Sequence, residues 1–261
     1  MLTVLAPAKI NLSLEVLRGR SDGYHDLLSV VQTVSLADAL SLRPGPGRSI
    51  RCLDHELERG NLAERAAGIL AERFGVSDGV RIDLHKRIPV AAGLGGGSTD
   101  AAAALAGLSR FWELEAGCRE LEPIAAEIGS DVPFFLQGGR ARVEGRGEKV
   151  TREATRGGWF AIAWPGIELA TSAVYEAWDE TGGRSLRHAA ERVEPKLKAF
   201  ADRLGAGWTM TGSGSAFFKP AGTRQEANQA IAELECWTAV ATAVAIPAAS
   251  AVATPPASAV E

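Results

Sequence analysis

The chain has 261 residues, 46% hydrophobic and 23% charged, with a formal net charge of −4. That length can bury a large core and suits one large domain or two modest ones. The acidic balance excludes non-specific nucleic-acid binding, which needs a basic face. Cys52, Cys118 and Cys236 are odd in number and far apart. They suggest neither a disulfide framework nor a zinc site and fit a reducing, cytoplasmic compartment.

In chain order, Leu2 to Val16 alternates as a strand, but Lys9 and Asn11 interrupt its apolar pattern, which also rules out a signal peptide there. Ser21-Asp22-Gly23-Tyr24-His25 begins with a turn signal and continues with an aromatic and an imidazole. Leu27 to Leu42 reads as a strand region with a turn at Leu36-Ala37-Asp38-Ala39, followed by a Pro/Gly loop from Arg43 to Arg48. Asn61 to Phe74 has helical periodicity, and Val80, Ile82 and Leu84 alternate as a strand. Helices are expected from the glycine stretch below to about Phe111, and from Cys118 to Ile128.

Beyond Gly129-Ser130-Asp131-Val132-Pro133, glycines at 138, 139, 145 and 147 punctuate two short strands. Arg152 to Gly158 is a polar linker, and Trp159 to Trp164 a strand. Thr171-Ser172 can cap a helix carrying Tyr175 and Trp178, and Ser185 to Leu204 reads as one helix. Trp208 to Phe218 is strand, glycine turn, strand; a helix over Gln225 to Glu235 and a strand from Cys236 to about Ile246 complete the pattern. Strands and helices mix without regular βαβ alternation, so the class is α+β. The linker divides the chain into residues 1–155 and 156–246, with 247–261 a flexible tail. Thr238 to Val260 lacks charge, but its alanines and prolines transfer weakly to lipid, so no membrane span is expected.

Pro89-Val90-Ala91-Ala92-Gly93-Leu94-Gly95-Gly96-Gly97-Ser98-Thr99-Asp100 is the most informative stretch. Clustered glycines are costly to order and are used where the backbone needs positive φ or close approach. Ser98, Thr99 and Asp100 are available as caps for the alanine-rich helix that follows. A glycine loop feeding a helix N-terminus is an anion site. It lacks the Gly-Lys-Ser/Thr of a Walker loop, and Ser98 stands where a dinucleotide fingerprint needs its third glycine. By itself the stretch is either another kind of phosphate cradle or a structural turn.

Other residues carry chemistry beside it. Six of the 28 basic residues are lysines, and Lys9, Lys86 and Lys149 lie near glycine-rich or motif-like stretches, where a compact ammonium suits a phosphate. Asp131 reads as a reactive carboxylate or as a helix cap; burial would raise its pKa and a nearby lysine lower it.

Pro7-Ala8-Lys9-Ile10-Asn11-Leu12, the stretch from Gly93 to Ala102, and Thr211-Gly212-Ser213-Gly214 resemble, in this order, the three motifs of the GHMP kinases (galactokinase, homoserine, mevalonate and phosphomevalonate kinases). With Asp22-Gly23-Tyr24-His25, Gly129 to Phe135 and Gly145-Arg146-Gly147-Glu148, the set is more similar to the branch whose acceptor is a cytidine-diphosphate-linked methylerythritol. The resemblance implies a two-domain fold with the active site in the cleft, and ATP-dependent phosphorylation of the acceptor's 2-hydroxyl in non-mevalonate isoprenoid synthesis. By position, Asp131 matches the base and Lys9 its electrostatic partner. Residues 89–99 match the ATP-phosphate loop, with Asn61 and Lys86 as further nucleotide contacts. Tyr24 and Tyr175 match the cytosine-sandwiching aromatics and His25 the reader of the base edge. Asn11, Gly212 and Ser213 are expected near phosphate groups, and Mg2+ is expected to arrive with ATP, touched by Ser98 or Thr99. Thr99 stands where the family usually has serine. Partners are expected to be small molecules, with the chain a monomer or homodimer. The competing readings are a homoserine- or mevalonate-type kinase and a non-catalytic nucleotide-binding module.

Overall fold

In the computed structural model, which describes residues 1–53, 60–245 and 251–252, the chain runs β1 (Leu2–Gly19), β2 (His25–Pro44), β3 (Arg48–Cys52), α1 (Leu62–Phe74), β4 (Val80–His85), α2 (Gly96–Phe111), α3 (Cys118–Ile128), α4 (Val132–Gln137), β5 (Arg140–Gly145) and β6 (Lys149–Glu153). It continues through β7 (Trp159–Trp164), α5 (Thr171–Glu180), α6 (Leu186–Val193), α7 (Lys196–Leu204), β8 (Thr209–Met210), β9 (Phe217–Ala221), α8 (Arg224–Ile231), β10 (Trp237–Thr242) and β11 (Ala251–Val252).

The first sheet has the order β11-β1-β2-β4-β3. β2 is long enough to serve two further neighbours: Ala39 to Pro44 pair with β4, and Leu27 to Gln32 pair with β5, which leads on to β6. Residues of α1 to α4 share one core with this sheet. The close fit rests on small side chains. Ala101 to Ala104 are fully buried, and a Cβ at Gly107 would lie 2.7 Å from Val4 Cγ2. The second sheet is β10-β7-β9-β8, antiparallel throughout, with α5 to α8 contributing to its core. A third cluster lies between the sheets, bringing Ala8, Ile10 and Val34 against Ile162, Phe218 and Ala241.

Several sequence expectations change. Leu36 to Ala39 is not a turn: β2 continues through it, and the register shifts so that residues 34–36 lie opposite Ala8 alone. This bulge sends Val34 to bridge Ala243 of the other sheet, while Ser35 Oγ accepts from Thr242 N. Part of the Pro/Gly loop is strand, since β3 begins at Arg48 and pairs parallel with β4. The apolar run after Asp131 is the short helix α4, with Pro133 in its first turn, where a missing N–H costs nothing. The helix expected over Ser185 to Leu204 is broken at Glu194-Pro195 into α6 and α7, because proline cannot continue the ladder. Thr171 lies inside α5, whose N-cap is Ala170. Ala251–Val252, read as tail, pair antiparallel with Val4 and Thr3 of β1; residues 247–250 and 253–261 of that reading lie outside the described residues.

Candidate active site

The glycine loop lies between β4 and α2, and main-chain hydrogen bonds from three distant parts of the chain hold it. Lys9 N donates to Leu94 O, Ala216 N to Ala92 O and Leu169 N to Ala91 O, at 3.0, 3.0 and 3.1 Å. Gly93 and Gly95 have φ of +78° and +74°, which side chains disfavour. Space forbids a side chain there as well: a Cβ at Gly93 would lie 2.2 Å from Thr211 O, and one at Gly95 2.6 Å from Phe135 Cζ. Gly96 and Gly97 belong instead to the first turn of α2, whose cap is Gly95 rather than Ser98, Thr99 or Asp100. A Cβ at Gly97 would meet only Leu62 Cδ1, at an ordinary 3.7 Å. Neither φ nor crowding requires glycine at 97. Its bare backbone leaves room beside the N-terminal amides of a 16-residue helix.

Lys9 enters the site from β1. Its ammonium donates to Asn11 Oδ1 at 2.6 Å and lies 3.9 Å from Asp131 Oδ2. Two glycines make room for it: a Cβ at Gly95 would be 3.0 Å from Lys9 Cγ, and one at Gly212 3.1 Å from Lys9 Nζ. Burial pushes the Lys9 pKa below its ordinary value, and Asp131 only partly offsets this. The reason is geometric, because Asp131 is 48% exposed and water screens its charge. Asp131 is the N-cap residue of α4, yet its carboxylate makes no cap hydrogen bond. The capping alternative therefore fails, and the oxygens face the cleft.

A single cleft of about 930 Å3 joins this pair to the other expected residues. Lys9, Asn11, Tyr24, His25, Asn61, Lys86, Pro89 to Ser98, Asp131, Tyr175, Gly212 and Ser213 all contribute to its wall. Thr99 does not: it is fully buried, and among the described residues its hydroxyl has no hydrogen-bond partner. Asn61 has a structural duty too, capping α1 through Oδ1 to Ala63 N. Asn11 is tied to Ser29 Oγ and Thr211 Oγ1 as well as to Lys9, and Ser213 Oγ lies 3.1 Å from Thr171 Oγ1.

At the far end, Tyr24 is 48% exposed, and the Arg146 guanidinium lies 5.1 Å from its ring centroid. Tyr175 and His25 are tilted ring neighbours with centroids 4.9 Å apart, and Trp178 meets His25 edge-on. Burial and the nearby Asp131 carboxylate push the Tyr175 phenol up to about 12, so it stays neutral.

Sequence reading missed the acids behind the loop. Lys86 is clamped between Asp38 and Asp100, and Asp38 also accepts from the main-chain N–H groups of Arg87 and Ile88. Desolvation pushes the Asp100 carboxyl above its ordinary range even with Lys86 beside it. The overlooked signal was Asp38 itself, an acid inside an alternating strand run, the same anomaly that singled out Lys9.

Comparison with known proteins places this geometry. Residues 61–139 match the GHMP kinases N terminal domain. The 4-diphosphocytidyl-2-C-methyl-D-erythritol kinase of Exiguobacterium sibiricum is 41% identical over 249 residues, covering 82% of this chain and 87% of that one. The same-named protein of Caldanaerobacter subterraneus subsp. tengcongensis is 42% identical over 200 residues, 76% of this chain and 69% of that one. The match to the Bacillus velezensis relative, at 48% identity, spans 65% of this chain and 61% of the relative. A crystal structure of 4-(cytidine 5'-diphospho)-2C-methyl-D-erythritol kinase superposes with a TM-score of 0.79 at 36% identity, covering 92% of this chain and 98% of that one. Homoserine kinase from Cytophaga hutchinsonii, at 18% identity and a TM-score of 0.68, shares the fold. Identity across most of both chains, on a fold whose three motif segments meet at one cleft, shows that the chain belongs to the 4-diphosphocytidyl-2-C-methyl-D-erythritol kinase family of GHMP small-molecule kinases.

Proposed function

We propose that the chain transfers the terminal phosphoryl group of ATP to the 2-hydroxyl of 4-diphosphocytidyl-2-C-methyl-D-erythritol, a step of non-mevalonate isoprenoid synthesis in the cytoplasm. The observation that carries this is the Lys9–Asp131 pair, seated between the glycine loop and the Tyr24–His25–Tyr175 group in one cleft. Amides at the start of α2 and in the loop receive the ATP phosphates. Asp131 Oδ accepts the hydroxyl proton as the new P–O bond forms and the bond to the departing ADP breaks. Lys9 offsets the charge that collects on the moving phosphoryl, from a buried position where water screens it little. Tyr24 and Tyr175 flank the cytosine, and His25 meets its edge. Residues 1–155 carry the glycine loop, the Lys9–Asp131 pair, Tyr24 and His25, and residues 156–246 add Tyr175, Gly212 and Ser213 to the acceptor side.

Among the described residues no group of three or more His, Cys, Asp or Glu could hold a metal ion. The donors on the cleft wall fit a magnesium brought in on nucleotide phosphates, with the Ser98 hydroxyl as a protein contact. When bound there, magnesium neutralises phosphate charge.

The test mixes the purified protein with ATP, magnesium and the cytidine acceptor and follows ADP release. Turnover with this acceptor, and none with homoserine or mevalonate, is expected. The reverse pattern assigns a different acceptor, and binding of ATP without turnover of any acceptor assigns a non-catalytic module.

A further inference from the structure

His25 is the group placed to read a base, but an imidazole presents either a donor or an acceptor depending on which nitrogen carries the proton. The answer lies on α5. His25 Nε2 is 2.9 Å from Asp179 Oδ1, and Asp179 follows Tyr175 by one helical turn. A carboxylate only accepts, so the ring nitrogen facing it is the one that bears hydrogen. The ring is also fixed in orientation. A Cβ at Gly19 would lie 3.9 and 4.0 Å from its Nε2 and Cδ2, Tyr175 lies against its face, and Trp178 meets it edge-on. Among the described residues, no hydrogen bond is made to His25 Nδ1, and His25 belongs to the cleft wall while Asp179 does not.

We propose that Asp179 is a positioning residue that determines base specificity: by accepting a hydrogen bond from Nε2–H it keeps the hydrogen on that nitrogen and leaves the neutral His25 ring a bare acceptor at Nδ1. The proposal rests on the reading of a cytidine-bearing acceptor. The pairing edge of cytosine has a single N–H group, the exocyclic 4-amine, and Nδ1 accepts from it. In the same pose uracil presents O4, so two lone-pair atoms would face each other. A site built to receive an N–H rejects an analogue lacking it by far more than a difference in size would achieve. Stacking between the tyrosines does not discriminate, since both pyrimidines have the same faces.

Two measurements test this. The first is the nitrogen-15 NMR pattern of His25 in the ligand-free protein at pH 8, above the ordinary imidazole range of about 6.5. The Nε2–H form with unprotonated Nδ1 is expected; a dominant Nδ1–H form overturns the proposal. The second is the ratio of kcat/KM for the cytidine acceptor over its uridine analogue. Asp179→Ala is expected to cut that ratio about 10-fold or more, mainly through the KM of the cytidine acceptor, leaving the KM of ATP within about two-fold. Asp179→Asn, which offers oxygen or N–H to the ring, is expected to fall between Ala and Asp. An unchanged ratio in Asp179→Ala overturns the proposal, as does an equal rise in both KM values, which marks a structural role alone. If the wild-type chain does not use the cytidine acceptor, the reading of the reaction fails, while the NMR still decides the state of His25.

Discussion

Lys9 illustrates a residue whose proposed function opposes stability. Its ammonium is buried beside a half-exposed carboxylate, and its pKa is held below the ordinary 10.5. The unfolded chain therefore binds that proton more tightly than the folded one. Stability rises with pH between the lowered value and 10.5. We expect Lys9→Met to reduce turnover about 10²–10³-fold while raising Tm by about 2–4 °C at neutral pH and flattening that pH-dependent rise. Calorimetry across pH alongside ADP release checks both halves; a lower Tm would mean that the Asn11 and Asp131 contacts outweigh the burial cost. Asp131→Asn keeps the shape and loses the proposed base. Its kcat is expected to fall about 10²–10⁴-fold with ATP affinity changed only a few-fold, and near-normal turnover would leave positioning alone to carry the reaction. Tyr24→Ala removes one face of the proposed base slot and the seat of Arg146, so the acceptor KM is expected to rise about 10-fold with little change for ATP; equal effects on both would place Tyr24 outside the acceptor site.

Along the junction of loop and helix, three glycines have two different duties. Gly93 and Gly95 hold a backbone shape and admit neighbours, whereas Gly97 keeps space open. Gly93→Ala is expected to lower Tm sharply, since its Cβ would overlap a carbonyl. Gly97→Ala is expected to hold or raise stability by up to about 1 kcal/mol through helix propensity while raising the ATP KM about 10-fold. Thermal melts with steady-state kinetics separate the two, and a Gly97→Ala protein with unaltered ATP kinetics would remove the phosphates from that turn. These duties were only half legible in the sequence. The glycine cluster signalled an unusual backbone, yet the helix begins inside it, because glycines 96 and 97 take helical geometry once Gly95 has turned the chain. In the same way Asp38 was hidden: a bulge and a turn give similar local patterns, and only pairing with β1 distinguishes them. Lys9 stood out because a charged side chain interrupts an alternating apolar run, whereas the roles expected of Asp131, Tyr24 and Tyr175 came from the resemblance to the kinase family, since nothing in local periodicity sets them apart. Asp179 was not, since an acid at the exposed end of an amphipathic helix is ordinary until His25 is brought to it from 154 residues away.

At the scale of the whole molecule, two sheets meet through a hydrophobic cluster that draws on both, and through the β2 bulge that reaches β10. Neither sheet keeps its inner face covered without the other. We expect one calorimetric transition, with the van't Hoff and calorimetric enthalpies equal, despite the two separate sheets. Two resolved transitions would mean that the halves fold independently. The joint at the glycine loop has a further consequence. Lys9, Leu169 and Ala216 hold the loop through their amide nitrogens, not their side chains. Such fastenings do not depend on side-chain identity, so a substitution at these three positions acts through the packing or charge it changes and leaves the main-chain bond in place. The exception is proline, which has no N–H to give. A single imino acid at 169 or 216 would unfasten what no ordinary side-chain exchange there can.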